Sequence, residues 1–336
     1  MRHRYLPHRR QRGTVIIVTL WTITLLTILV TALAGQNRLS AQVARFHRDD
    51  LQTWAQLLAA INQAEMELLM ETMPAPVRDL EEFVEQPRTE RFRYDGRELE
   101  LSYPQAEAIG VRIYDHGGKI NIREISRPRM RSLIEKRLGE DPDPQQVDDL
   151  MTAWSDWLDL NDLAGPNGAE RDYYLGLDPP YLPRNGALEM VEELLLIRGF
   201  AEVFADVDLD AAFTLYGESD LINLNIATEE AMQLLPGLDD ELIDAIVAWR
   251  QDNEFVGNGD VAQLIPAESM VELRIWLNSR KTTNFFTIMA YPKGESTYAF
   301  AETVEVATPN NRPRVLKINP YQRLPGSAAA ADTQDQ

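Results

Sequence analysis

Cysteine is absent from the 336 residues, which excludes thiolate metal sites, cysteine nucleophiles and disulfide staples. Histidine is nearly as scarce: beyond His3 and His8, only His47 and His116 occur, so no Ser-His-Asp or histidine-metal constellation is visible. Gly117-Gly118-Lys119 lacks the earlier glycine and the following Ser or Thr of a phosphate loop, because Ile120 comes next. Acidic pairs such as Glu192-Glu193 stand beside apolar Leu194 to Ile197 and read as a solvated helix face. No enzyme chemistry is expected. Two further absences concern charge: no acid precedes Asp49, and no charged residue lies between Thr14 and Ala34.

That uncharged stretch is the first positive feature. A helix over Thr14 to Ala34 rises about 31 Å, close to the ~30 Å hydrocarbon core of a bilayer. Arg2, Arg4, Arg9, Arg10 and Arg12 precede it, a basic bias that keeps the N-terminus cytoplasmic and places the bulk of the chain on the far side. An ordinary secretory signal has an h-region of about 7 to 15 residues followed by a small-residue cleavage site, whereas here Gly13 sits on the cytoplasmic side of a longer run. Cleavage after Gly13 would remove the charges and leave the anchor; the alternative is an uncleaved signal anchor. The threonines of the span, Thr19, Thr22, Thr24, Thr27 and Thr31, can bond back to their own helix or across to another.

With 44% hydrophobic and 26% charged residues, the remainder can support two globular units outside the membrane. The formal charge of −20 comes from 33 basic and 53 acidic residues; without the five arginines of residues 1–13 it is 28 against 53, or −25. Such a surface repels nucleic acid and anionic headgroups and suits cations or a basic partner.

Beyond Gly35, the apolar positions Leu39, Val43, Phe46, Trp54, Leu57, Ile61, Ala64 and Leu68 recur mostly at spacings of three or four. They predict that the helix continues with one buried face to the proline break at Met73-Pro74-Ala75-Pro76. Alternating strands follow at Phe92 to Tyr94 and Leu99 to Tyr103 around an Asp95-Gly96 hairpin, and at Val111 to Tyr114 and Lys119 to Ile122 around His116-Gly117-Gly118. Helical periods occupy 127–279. Strands return at Phe285 to Tyr291 and Ser296 to Val306 around Pro292-Lys293-Gly294-Glu295. The expected class is α+β: a long N-terminal helix packed on an antiparallel sheet, with a large all-α domain inserted into the sheet domain. The expected segments are a leader over 1–13, the long helix over 14–73 with 14–34 in the membrane, sheet portions 77–126 and 280–320, the insert 127–279, and a disordered tail 321–336.

The loop from Asp156 to Asp172 offers Asp156, Asp159, Asn161, Asp162, Asn167, Glu170 and Asp172, oxygen donors of the kind Ca²⁺ takes six to eight at a time. The spacing departs from an EF-hand loop because Leu163 and Ala164 interrupt it. A solvated polar loop with Asp-mediated turns accounts for the same residues.

Several motifs in order carry a family resemblance. The basic leader ending at Gly13, the Asp115-His116-Gly117-Gly118-Lys119-Ile120-Asn121 turn, Trp157-Leu158-Asp159 through Pro166 to Tyr174, Pro180-Tyr181 to Asn185, Glu192 to Phe200, and Ile222-Asn223-Leu224-Asn225 together resemble the K class of minor pseudopilins of type II secretion systems. The resemblance implies a pilin-like, non-catalytic subunit at the tip of a periplasmic pseudopilus, held in the inner membrane by one span. Its implied partners are the I- and J-class minor pseudopilins, the major pseudopilin, prepilin peptidase and the inner-membrane secretion platform. No nucleic acid or small-molecule substrate is expected. Cleavage would fall between Gly13 and Thr14, followed by methylation of the new N-terminus, although Thr14 replaces the usual large apolar residue. The fifth mature position, a glutamate in ordinary pilins, is Val18, as is typical of the K class. The resemblance also implies structural calcium in the helical domain, carried onto Asp159, Asn161, Asp162, Glu170 and Asp172, with Gly168 helping the loop turn.

Ile222 to Leu264, with Leu235-Pro236-Gly237-Leu238 at its turn, resembles the helix-hairpin-helix (SAM-like) modules of DNA-uptake proteins. Those bind phosphates through backbone amides with basic help. Residues 220–280 contain twelve acids and three basic residues, so a packing or protein-binding role is expected in place of DNA binding.

Overall fold

The computed structural model describes residues 14–72, 93–101, 107–279, 282–294, 296–307 and 312–325. The expected leader over 1–13, the proline break over 73–76 and residues 326–336 of the expected tail over 321–336 lie outside the described residues. The chain divides into two compact units, residues up to Gln56 and residues from Leu57 onward.

Helix α1 runs without interruption over Thr14–Thr72, 59 residues. No proline occurs between Pro7 and Pro74, so nothing within the helix removes a ladder donor. Within the first unit its apolar side chains are exposed, from Val15 at 63% through Leu33 at 50%. The five threonine hydroxyls each donate to a carbonyl three or four residues earlier: Thr19 to Ile16, Thr22 to Thr19, Thr24 to Leu20, Thr27 to Ile23 and Thr31 to Thr27, at 2.8–2.9 Å. The helix thereby satisfies its own polar groups, as a lipid-facing surface requires.

The expected buried stripe begins later than its spacing suggested. Val43, Phe46 and Trp54 are exposed, while Leu57, Ile61, Ala64 and Leu68 are buried. Periodicity reports that a face is apolar, not that anything covers it. In the second unit those four residues share a cluster with Val111 and Ile113, Phe286 and Ile288, and Phe300 and Val304, each fully buried large side chain stabilising by about 1.5–3 kcal/mol. Glu67 and Glu71 add ion pairs to Arg93.

The sheet has five strands: β1 (Asp95–Glu98), β2 (Ile109–Asp115), β5 (Phe285–Pro292), β6 (Tyr298–Glu305) and β7 (Arg314–Arg323), in that spatial order. Every neighbour is antiparallel. Two sequence expectations are corrected. Asp95-Gly96 is not a hairpin tip but part of β1 itself, where the register shifts. There the Asp95 carboxylate turns back to the amide and guanidinium of Arg97, satisfying locally what a hairpin would have satisfied. The strand expected after His116 contributes β3 (Ile120–Asn121), which pairs in parallel with β4 (Phe213–Thr214) outside the large sheet. Strand β7 also continues to Arg323, past the expected end of the sheet domain at residue 320.

Between β3 and β5 lies the helical block: α2 (Arg127–Leu138), α3 (Pro144–Leu158), α4 (Arg171–Leu175), α5 (Phe200–Phe204), α6 (Leu209–Ala212), α7 (Glu229–Leu234), α8 (Asp240–Asp252), α9 (Asn258–Leu264) and α10 (Ala267–Leu273). Its core contains Trp157, Phe200, Phe204, Phe213, Phe255 and Trp276. Asp143 shows why α3 starts where it does: its carboxylate accepts from the Gln145 amide at 3.0 Å while Pro144 occupies the first turn.

The Asp115 to Lys119 motif joins block to sheet. The Asp115 carboxylate accepts from the Gly117 amide and from the Thr283 hydroxyl, both at 2.7 Å. His116 is buried between Thr214 Oγ1 (2.6 Å, at Nδ1) and Thr287 Oγ1 (2.8 Å, at Nε2), and burial pushes its pKa well below the ordinary imidazole value. The carbonyls of Gly117 and Gly118 accept from the amides of Asn223 and Thr228 at 3.0 and 3.2 Å. A Cβ at Gly118 would strike the Ile226 carbonyl, so glycine is needed for this close approach. The Asn223-Leu224-Asn225 motif belongs to the same joint, since Asn225 Nδ2 donates to the carbonyls of Phe255 and Ser279.

Candidate metal centre

The acidic loop begins on the last turn of α3, whose buried face includes Ala153, Trp154, Asp156 and Trp157. A carboxylate on such a face must be compensated. Asp156 accepts from the Gly165 amide at 3.2 Å and the Ala169 amide at 2.9 Å, so the loop closes back over its own helix. A Cβ at Gly168 would collide with the Asp156 carboxylate. Trp157, Tyr174 and Tyr181 form an aromatic floor, with centroids 5.1 and 5.2 Å apart in sequence. Arg198 holds the loop from the side by donating to the carbonyls of Asn167 and Gly168 at 3.0 Å.

Asp156, Asp159 and Glu170 converge, their ligand oxygens all within 4.8 Å of one another. Asp159 Oδ1 accepts from the amide and side chain of Asn161 at 2.9 and 2.6 Å. Asn185 Nδ2 donates to the Asn161 carbonyl and to Asp162 Oδ1, pinning this arm of the loop. Glu170 is 4% exposed, and no hydrogen bond of normal geometry reaches either carboxylate oxygen. Its pKa is pushed up to about 7, first by burial and then by the negative charges of Asp156, Asp159 and Asp162, with the Arg171 amide offsetting this only in part. Burial also raises Asp156, against the pull of the Gly165 and Ala169 amides.

Three converging carboxylates, one with both oxygens buried and unbonded, are a donor set that a hard divalent cation fits. Of the residues expected from sequence, Asp159 and Glu170 stand in the trio. Asp162 acts on Glu170 through its charge, and Asn161 braces Asp159. Asp172 is exposed in the first turn of α4 and lies outside the trio. Asp156 was not among the five expected ligands; the available signal was an acid on the apolar face of an amphipathic helix.

The other expected sites are simpler. Val18 is 60% exposed among apolar neighbours, and Thr14 opens α1. At the hairpin between α7 and α8, the Asp239 carboxylate accepts from the Leu242 amide at 2.9 Å. The chain's own acid thus occupies the helix N-terminus that a phosphate would need. Arg250 is buried, donating to the carbonyls of Leu224 and Ala227, and so is withdrawn from any polyanion.

A long helix seated by residues 57–68 on an antiparallel sheet, with a helical block inserted into the sheet unit and, among the described residues, one apolar segment long enough to cross a membrane, gives a pilin-like fold. Residues 117–206 match the family described as type II secretion system (T2SS), protein K. Type II secretion system protein K of Klebsiella pneumoniae is 24% identical over 84% of this chain and 79% of its own length; that of Aeromonas hydrophila is 24% identical over 68% and 71%. A chain in the crystal structure of the GspK-GspI-GspJ complex from enterotoxigenic Escherichia coli has the same fold, with a TM-score of 0.51 at 16% identity over 82% of this chain and 98% of that one. The chain is thus similar to type II secretion system protein K over most of its length, and these likenesses support the role of a minor pseudopilin. Nothing in these likenesses supports a DNA-binding role.

Proposed function

We propose that this subunit starts the periplasmic pseudopilus and occupies its tip, bound to the I- and J-class minor pseudopilins. The observation that carries the reading is the membrane half of α1, which offers no acid: Val18 stands where an ordinary pilin has a glutamate. An unpaired charge inside the bilayer is costly, and this helix cannot neutralise the amino terminus of a protomer beneath it. It therefore begins a filament instead of extending one. The block over 127–279 argues the same way, because so large an insert is hard to repeat at every position of a close-packed shaft.

The leader is cut between Gly13 and Thr14 by prepilin peptidase and the new N-terminus is methylated. The chain spans the inner membrane once, with its N-terminus cytoplasmic and its sheet and helical block periplasmic. The role is structural, with no catalytic step. Calcium closes the acidic loop through Asp156, Asp159 and Glu170, with Asp162 beside them. Its contribution is to neutralise carboxylates and fix the loop, not to polarise a substrate. The partners are supported by the complex in which the structurally similar GspK was crystallised. Co-purification of the full chain with the I- and J-class subunits, with calcium and with chelator, tests this directly. A ternary assembly that weakens in chelator is expected, and failure of all three to associate in either condition would refute it.

A further inference from the structure

The surface of the sheet that receives α1 contains a carboxyl among apolar side chains. Side chains alternate along a strand, so Phe300, Glu302 and Val304 of β6 point to one face. Phe300 and Val304 share the apolar cluster of Ile61, Ala64 and Leu68, and Glu302 lies between them at 9% exposure. Glu65 enters from α1, one residue after Ala64 and three before Leu68. The two carboxyl side chains face each other across this seam, each acting on the other's protonation. A hydrogen bond between two carboxyls needs a proton on one of them, since an ionised carboxylate has acceptors alone.

The surroundings leave the pair largely to itself. In register with Glu302 stand Ile288 on β5 and Ile318 on β7, neither of which titrates. Arg312, just before β7, is the cation that acts on Glu65. Glu67 and Glu71 on the same helix are engaged by Arg93, and Glu305 at the end of β6 pairs with Arg314.

We propose that Glu65 and Glu302 form a proton-sharing carboxyl pair that makes the seating of residues 57–72 of α1 on the sheet depend on pH. The direction follows from linkage. Burial, then the charge and hydrogen bond of Glu302, push Glu65 from 4.5 up to about 7, against the opposing charge of Arg312; burial raises Glu302 as well. A folded-state pKa above the unfolded one gives stability that is fully present below about pH 4.5 and lost as pH rises through about 7. The joint is therefore tight in mildly acidic surroundings and loosens as the shared proton leaves, when two carboxylates are forced together. The seating of residues 57–72 on the sheet therefore senses the pH around this unit.

Hydrogen exchange of the amides of residues 57–71 in the full chain in detergent micelles, corrected for intrinsic rates, reads the joint between about pH 5.5 and 8.5. Protection in the wild type is expected to fall about tenfold or more across that range, beyond any change in the β2 amides over the same range. Glu65→Gln, which donates a hydrogen bond at every pH, should abolish the excess fall, as should Glu302→Gln. An unchanged fall in both variants, or pH-independent protection in the wild type, overturns the proposal. If the variants do not fold, the carboxyl carbon shift of Glu65 in the wild type decides. A midpoint near neutrality supports the pair, and one at about 5 or below overturns it.

Discussion

Adding calcium to the full chain should raise its unfolding temperature, and Glu170→Gln should remove most of that rise. Three carboxylates whose oxygens lie within 4.8 Å cannot all be ionised cheaply: at that separation two unit charges repel by about 3.5 kcal/mol in an effective dielectric of 20. Without a cation this repulsion favours the protonated form of Glu170, whose pKa is pushed up from 4.5 to about 7 by burial first and by its acidic neighbours next. The sign follows: this group's contribution is present below about pH 4.5 and is lost as pH rises through about 7, so the cation-free protein weakens toward alkaline pH. A cation bound here would replace the proton, so its benefit should be larger at pH 8 than at pH 6. At a free calcium concentration 100 times Kd the stabilisation is about 2.7 kcal/mol, which for a unit of this size raises Tm by roughly 4 to 6 °C. The assay is scanning calorimetry at pH 8 with graded calcium, with magnesium as control. Glu170→Gln keeps the shape and loses the charge, and should shrink the shift to less than about 2 °C. Asp172→Asn, outside the trio, should leave it intact. A wild-type Tm indifferent to millimolar calcium, or a shift of the same size in Glu170→Gln, would refute the reasoning.

Gly118→Ala should lower stability by about 2 kcal/mol or more, because its new Cβ meets the Ile226 carbonyl and the block must move off the sheet; urea midpoints measure this. Val18→Glu places a carboxyl within the apolar span, and should allow the subunit to enter positions along the shaft, read by crosslinking to the major pseudopilin. No shift in a DNA gel is expected even at low salt, since Asp239 caps the hairpin helix and Arg250 is internal; retardation at low salt would contradict that reading.

Features governed by local rules were the most legible. The uninterrupted helix and strands β5 and β6 follow from periodicity, and the structure places them within a residue or two of expectation. What remained hidden depends on partners distant in sequence. Nothing around Asp95-Gly96 announces that Arg97 will satisfy Asp95 and carry the strand onward. The parallel pairing of Ile120 with Phe213 spans too long a separation for any local pattern to indicate. At the acidic loop the composition pointed to the right segment, but it could not rank the acids. Convergence of Asp156 with Glu170 requires the Gly165 to Ala169 turn to fold back over α3, while Asp172, equally acidic, is carried outward by the start of the next helix. Glu65 and Glu302 look like ordinary surface acids until alternation along β6 and the helix register are set against each other.

The position of this subunit within assembled pseudopili tests the account most directly. With a tag appended after residue 336 and gold-labelled binders, electron microscopy of pseudopili drawn out of the membrane should show label at one end of each filament and nowhere else. Label distributed along the shaft would contradict the claim that a helix with valine at position 18 begins the filament.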